Sequence, residues 1–154
     1  CYCGDYNQKD RNLLPLFEAV SELENECRLT VAGNSDLKPV LKENMTVYPR
    51  VEKQKVDEIE LDSDVIVCVC NRKGTQIPGK IYHASATNRT VLIILDGDHK
   101  NEIKKYFKAY GRFAFCENEK NEILKTLKNL CKDKKEEIPC KAFNSLNIAE
   151  EILK

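Results

Sequence analysis

The chain has 154 residues, with 25 lysines and arginines balanced by 25 aspartates and glutamates, enough for one domain with its own core. The balance argues against a nucleic-acid binder, which carries a basic excess. No apolar stretch approaches the roughly eighteen residues of a membrane span, and the first residues lack a signal-peptide pattern.

The chain opens on Cys1 in a short strand-like run, residues 1–3. It does not begin with methionine and is read as an excised piece of a longer, cytoplasmic protein. The stretch "CGDYNQKDRN" follows, with Gly4 at the bend and Lys9 and Arg11 ahead of the first helix. In that helix Leu13, Leu16, Phe17, Val20 and Leu23 keep the i, i+3, i+4, i+7 rhythm. Asn12 is its N-cap, and Pro15 is tolerated in the first turn.

Strands are expected over residues 28–32, 46–48, 65–70, 91–95 and 112–116. Shorter helices are expected over 37–43, 53–59 and 78–87. The runs "VIVCVC" and "VLIIL" are apolar at every position, the signature of strands buried on both faces of a parallel sheet. The helical rhythm returns at Ile103, Tyr106, Phe107 and Tyr110, and at Ile123, Leu124, Leu127 and Leu130. A last helix is expected at Ile148, Ala149, Ile152 and Leu153, reached through the solvated linker "KDKKEEIP". Strand and helix alternate six times, which predicts one doubly wound, six-stranded parallel sheet of Rossmann-like type with right-handed crossovers and an extra C-terminal helix.

The eight cysteines contain no C-x-x-C pair, and neither His83 nor His99 stands at finger-like spacing from them. Most lie in or beside apolar runs, where a thiol behaves as a small hydrophobe. They are expected to be buried and reduced. Asp96-Gly97-Asp98 reads as a helix-entry turn rather than a Mg²⁺ dyad.

Ligands of a doubly wound sheet bind beyond the carboxyl ends of the strands, where strand order reverses. The fourth strand feeds "NRKGTQIPGKIY" at that end. Gly74 and Gly79 would let backbone approach a ligand. The following helix has no acid in its first turn, which leaves its amides to an anion, with Lys80 and Thr75 beside them. Neither G-x-G-x-x-G nor the Walker pattern is present, and on the glycines alone a plain βα turn with solvated lysines is the favoured reading. The loop 3–12 is of the same kind. Placing the first and fourth strands side by side would turn two cationic glycine loops, with Arg11 and Lys80, toward one cleft.

The order "YCGDYNQKDRNLLPLFEAVSEL…RLTVAGNSD…DSDVIVCVCN…IPGKIYHASATNRTVLIIL…YFKAYGRFAFCENEKNEILKTL" resembles the C-terminal, donor-binding half of GT-B-fold glycosyltransferases, nearest in flavour to bacterial enzymes of surface-polysaccharide synthesis. The resemblance covers nearly the whole chain, and its short motifs are specific only in order and spacing: Gly4 and Arg11, Leu29 to Gly33, Asp64 with the strand after it, "KIYHA" at 80–84 and "RTVLII" at 89–94.

It implies a nucleotide-sugar donor and no bound metal or other cofactor. Gly4 and Arg11 would face its diphosphate, with Thr75, Gly79 and Lys80 completing the pocket. The loop 48–51, with Tyr48 and Arg50, would lie beside the nucleobase. His83 stands where relatives place the ribose-binding glutamate. Asn71, Arg72 and Gln76 stand where retaining relatives place a second acid. The resemblance also implies that the glycan or lipid-linked acceptor, and the catalytic base, belong to a missing N-terminal half. The chain alone would then be inactive, with the whole enzyme in the cytoplasm or at the inner face of the membrane.

Other classes fit the residues less well. A receiver-like regulatory module needs paired acids after the first strand and an aspartate ending the third, where "CGDY" and "VYPR" stand. A dinucleotide oxidoreductase wants G-x-G-x-x-G there, and Asp36 is a late candidate for its ribose acid. A non-catalytic nucleotide-binding α/β module remains the alternative.

Overall fold

The computed structural model describes residues 1–143. Parallel strands β1 (Tyr2–Cys3), β2 (Leu29–Ala32) and β3 (Met45–Tyr48) form one sheet in the order β1-β2-β3. Strands β4 (Val65–Val69), β5 (Thr90–Leu95) and β6 (Phe113–Glu117) form a second, β4-β5-β6. Five helices connect or cover them: α1 (Leu14–Ser21), α2 (Lys53–Leu61), α3 (Lys80–Ser85), α4 (Lys100–Lys108) and α5 (Lys120–Lys132).

The architecture is Rossmann-like, but the expected single six-stranded sheet is replaced by two three-stranded ones. The cause is the brevity of β1, which has two residues where β4 has five. Among the described residues the backbone hydrogen bonds between the two sheets are made by Cys1, whose amino nitrogen donates to Val65 O at 2.7 Å and whose carbonyl accepts from Val67 N at 2.8 Å. Two bonds join strand edges without making a ladder. They do place β1 beside β4, the adjacency expected at the reversal of strand order.

Side chains of the strands alternate between two cores, because successive residues of a strand face opposite ways. Tyr2, Val67, Val69, Leu92 and Ile94 join α1 and α5 on one face. Cys1, Cys3, Ile66, Cys68, Val91 and Ile93 join residues of α2, α3 and α4 on the other. All six residues of β5 are buried, as its unbroken apolar run requires.

Helix α1 starts where the sequence marks it. Asn12 Oδ1 accepts from Leu14 N at 3.0 Å, and Pro15 occupies the first turn. Helix α2 covers its predicted span and runs two residues further, whereas α3 is shorter than its prediction at six residues.

The helix expected over 37–43 is absent, so β2 passes to β3 through irregular chain. Pro39 biases Lys38 away from the α region. Val40 and Leu41, the residues that would have formed the apolar stripe, are 81 % and 50 % exposed with nothing to pack on. The last predicted helix lies outside the described residues. The linker "KDKKEEIP" is largely exposed but tethered: Glu137 N donates to Asn88 O and Cys140 N to Ser85 O, both at 2.8 Å.

All eight cysteines are free thiols, five of them buried. Burial pushes the Cys68 and Cys116 thiols up to about 12 and Cys70 up to about 11.

Candidate functional site

At the carboxyl ends of the strands, the loops after β1, β4, β5 and β6 are stitched into one surface. Arg11, in the loop after β1, donates from Nε to Asn71 Oδ1 at 2.6 Å, just beyond β4. Arg72 N returns a bond to Asp10 O at 2.8 Å, and Arg72 Nη1 donates to Gln8 O at 3.1 Å. Arg72 Nε also pairs with Asp96 Oδ2 at 3.2 Å, after β5. Asn118, after β6, donates through Nδ2 to Asp96 Oδ2 at 2.7 Å and to Asn12 O at 2.9 Å. Its Oδ1 is buried without a partner.

A glycine makes this closeness possible. Gly97 has φ +76°, and a Cβ there would lie 2.4 Å from Arg72 O and 2.7 Å from Asn71 O. No L side chain fits that gap, so the loops after β4 and β5 can press together only with glycine at 97. Gly33 does the same for the first sheet, where a Cβ would stand 2.0 Å from Gly4 O. Gly4 is therefore backed by Gly33, and its N–H donates to Ala32 O at 2.8 Å.

Beside this surface, a shallow cleft of about 580 Å³ opens between the loops after β1 and β2, with Lys9, Asp10, Asn34 and Asp36 among its walls. Arg50, after β3, pairs with Asp5 there and donates from its backbone N to Asn34 Oδ1 at 3.1 Å. Asp5 accepts a further 2.9 Å bond from Asn34 N. That backbone donor, with the Arg50 guanidinium, holds the Asp5 carboxyl below the usual carboxylate range. Tyr48 is 37 % exposed at the end of β3, and its carbonyl accepts from Gly33 N.

Lys80 lies elsewhere. Its Nζ meets Glu60 Oε1 of α2 at 2.7 Å and donates to Cys3 O at 2.7 Å. The pair is largely enclosed, with side chains 22 % and 7 % exposed. Arg11 lies by Tyr2, whose phenol burial pushes up to about 12 against the opposing pull of the Arg11 guanidinium. Tyr2 and Cys3 face opposite cores, so Arg11 and Lys80 flank the end of β1 on its two sides. The expectation that both cations face one cleft is not met. Arg11 shares its surface with Asn71 and Arg72 instead.

The remaining expected residues are scattered. Thr75 and Gly79 are exposed in the loop before α3. The first turn of that helix already carries bonds from Ile81 N to Pro78 O and from Tyr82 N to Gly79 O, and six residues make a weak dipole. His83 is exposed in the last turn of α3, away from the loop surface.

The sequence reading passed over Glu60, Asp96, Asn118 and Gly97 as partners of the site. Only Gly97 carried a local signal, an Asp-Gly directly after an apolar strand. The others are set by contacts between residues far apart in the chain.

Arg11 makes no ion pair among the described residues, unlike Arg50, Arg72 and Lys80. It is a half-buried guanidinium satisfied by a neutral amide, at the point where strand order reverses. No group of three or more His, Cys, Asp or Glu among the described residues could hold a metal ion, and no helix among them is long and apolar enough to cross a membrane. No known family matches the chain, and a search among curated proteins finds no relative.

Proposed function

We propose that this domain binds a nucleoside diphosphate at the carboxyl ends of β1 and β4, as the donor-binding half of a nucleotide-sugar-dependent glycosyltransferase. The uncompensated charge of Arg11, with loops drawn close around it, supports the first part. In open α/β sheets that crevice is where ligands sit, and an unpaired guanidinium is a fork suited to two phosphate oxygens. Arg72 is the second diphosphate group, 41 % exposed at its side chain and free to exchange Asp96 for a phosphate. Lys9 stands on the rim of the neighbouring cleft, and Tyr48 and Arg50 lie at its β3 side for the base.

The glycosyl-transfer part rests on the resemblance in motif order. In that reaction Arg11 and Arg72 would neutralise charge growing on the leaving diphosphate. Lys80 would act indirectly, fixing α3 to α2 through Glu60 and to β1 through Cys3.

The second reading is a non-catalytic α/β module. Internal neutralisation of Lys80, Arg50 and Arg72 favours it, since each of these charges has a structural partner. Thermal-shift measurement with UDP, GDP, CDP, ADP and NAD tests the nucleotide site itself, which a non-catalytic nucleotide-binding module would share. A nucleoside diphosphate at about a hundred times its Kd adds roughly 2.7 kcal/mol, a rise of about 5–10 °C for a domain of this size. The rise should vanish in Arg11→Ala. No rise with any diphosphate would refute the nucleotide site and leave only a regulatory module without one, and a rise with NAD alone would point to an oxidoreductase.

A further inference from the structure

Three of the cysteines are half-buried where the other five are buried: Cys27, Cys131 and Cys140. Two of these meet. Cys131 stands in the last turn of α5, one turn beyond Leu127 and two beyond Ile123. Residues at that spacing share a helix face. Ile123 and Leu127 lie in the core with Leu16, Val20 and Leu23, so Cys131 ends the stripe by which α5 covers α1.

Cys27 reaches the same place from the other side. It follows α1, in the turn that leads to β2, where its N–H donates to Leu23 O at 2.9 Å. Its carbonyl accepts from Asn44 Nδ2 at 2.9 Å, and the same amide donates to Val20 O at 3.0 Å. The turn is thereby pinned to the end of α1. The Cys27 side chain packs on the core that holds Leu127, and its thiol is hydrogen-bonded to that of Cys131.

The fold has thus brought together two thiols that lie about a hundred residues apart and remain open to solvent. Both stand at the ends of their elements, one in the last turn of a helix and one in irregular chain. A small shift at either meets the geometry that a disulfide demands.

We propose that Cys27 and Cys131 form a reversible disulfide, closed by a low-molecular-weight disulfide of the glutathione class, that fastens the end of α5 to the turn between α1 and β2. The chemistry is two exchanges. Burial pushes the Cys27 thiol up to about 11, so Cys131 attacks first. Its sulfur bonds to one sulfur of the small disulfide, whose S–S bond breaks, and the departing thiolate takes up the proton that Cys131 released. The Cys27 sulfur then attacks the Cys131 sulfur and expels the second small thiolate, which takes up the proton of Cys27. Two protein thiols are oxidised and one small disulfide is reduced to two thiols. The five buried cysteines are sealed from such an oxidant. The pair lies before β2, at the opposite end of the strands from the loop surface, and the inference is independent of the nucleotide-binding reading.

The test treats the folded chain with oxidised glutathione at pH 8, blocks the remaining thiols and maps the peptides. A peptide pair joining Cys27 to Cys131 is expected. The oxidised chain should melt roughly 4–15 °C above the reduced one, as for a disulfide closing a long loop, and dithiothreitol should reverse the rise. Cys27→Ser should stop at Cys131 carrying one glutathione, with no rise of that size. Cys27 and Cys131 recovered from the unsubstituted chain as free thiols, or each bearing its own glutathione, would overturn the proposal. A link that forms only in urea would do the same, as would an oxidised chain that melts no higher than the reduced one.

Discussion

Replacing Lys80 by methionine asks whether that lysine is a ligand group or a structural one. Its Nζ lies 2.7 Å from Glu60 Oε1 and 2.7 Å from Cys3 O, and Glu60 is 7 % exposed. Methionine keeps the stem and removes the charge. Glu60 is then left enclosed without a cation, and Cys3 O loses its charged donor. Breaking a buried pair from one side costs about 3–5 kcal/mol, because the surviving charge remains desolvated. The 22 % exposure of Lys80 places the effect near the lower bound, about 3 kcal/mol. For a domain of this size that is a fall in Tm of roughly 6–12 °C. The double change Lys80→Met with Glu60→Gln removes the stranded charge as well and should recover at least half of the loss. Urea titrations of the four proteins give the coupling directly. If Lys80→Met unfolds within about 0.5 kcal/mol of the parent, Lys80 does not hold α3 to α2 and β1, and it returns to the list of diphosphate groups.

Further outcomes follow from the same geometry. Gly97→Ala should cost at least about 2 kcal/mol, since it adds a steric clash with Arg72 O and Asn71 O to an unfavourable φ. Gly74→Ala, with a similar φ of +80° and nothing within 4 Å, should cost only about 1 kcal/mol; equal losses by urea titration would refute the close-approach argument. Arg112 is 6 % exposed and donates to the carbonyls of Ser85, Thr87 and Arg89 at the exit of α3. Arg112→Met should cost about 2–4 kcal/mol through those stranded acceptors, and an unchanged Tm would count against it. Burial raises four thiols from 9.0, Cys27 and Cys70 to about 11, Cys68 and Cys116 to about 12. A raised pKa means that the fold holds the proton more tightly, so this stability is complete below pH 9 and is lost as pH rises through 11 to 12. Tm should fall steeply above pH 9.5, and no fall between pH 9 and 11 would contradict the burial of these thiols.

What was legible in the sequence was what local patterning controls. The unbroken apolar runs of β4 and β5 announced a parallel sheet covered on both sides, and the 3.6-residue rhythm located α1, α4 and α5. Asn12 and Pro15 marked the start of α1 because capping is a short-range matter. The helix at 37–43 failed because Val40 and Leu41 have the right spacing but no surface to cover, which a linear pattern does not reveal. The single sheet failed on pairing: a two-residue β1 bridges its neighbours with two bonds however strongly β2 and β4 are built.

The candidate site divides in the same way. The glycine- and cation-bearing loops after β1 and β4 do meet, and Arg11 stands between them. The fate of each charge depends on partners far along the chain, however. Lys80 reads as a free cation until Glu60, twenty residues earlier, is brought beneath it. Arg50 reads as a free cation until Asp5 is found against it. Spacing along the chain carries no information about such neutralisation.

The most direct measurement is amide chemical-shift mapping of the chain titrated with UDP, GDP, CDP and ADP. The account predicts that at least one of them saturates, with the largest shifts at residues 4–12, 71–73 and 96–97 and a clear response of the Arg11 side chain. Shifts confined to residues outside those loops, or none at millimolar diphosphate, would contradict it.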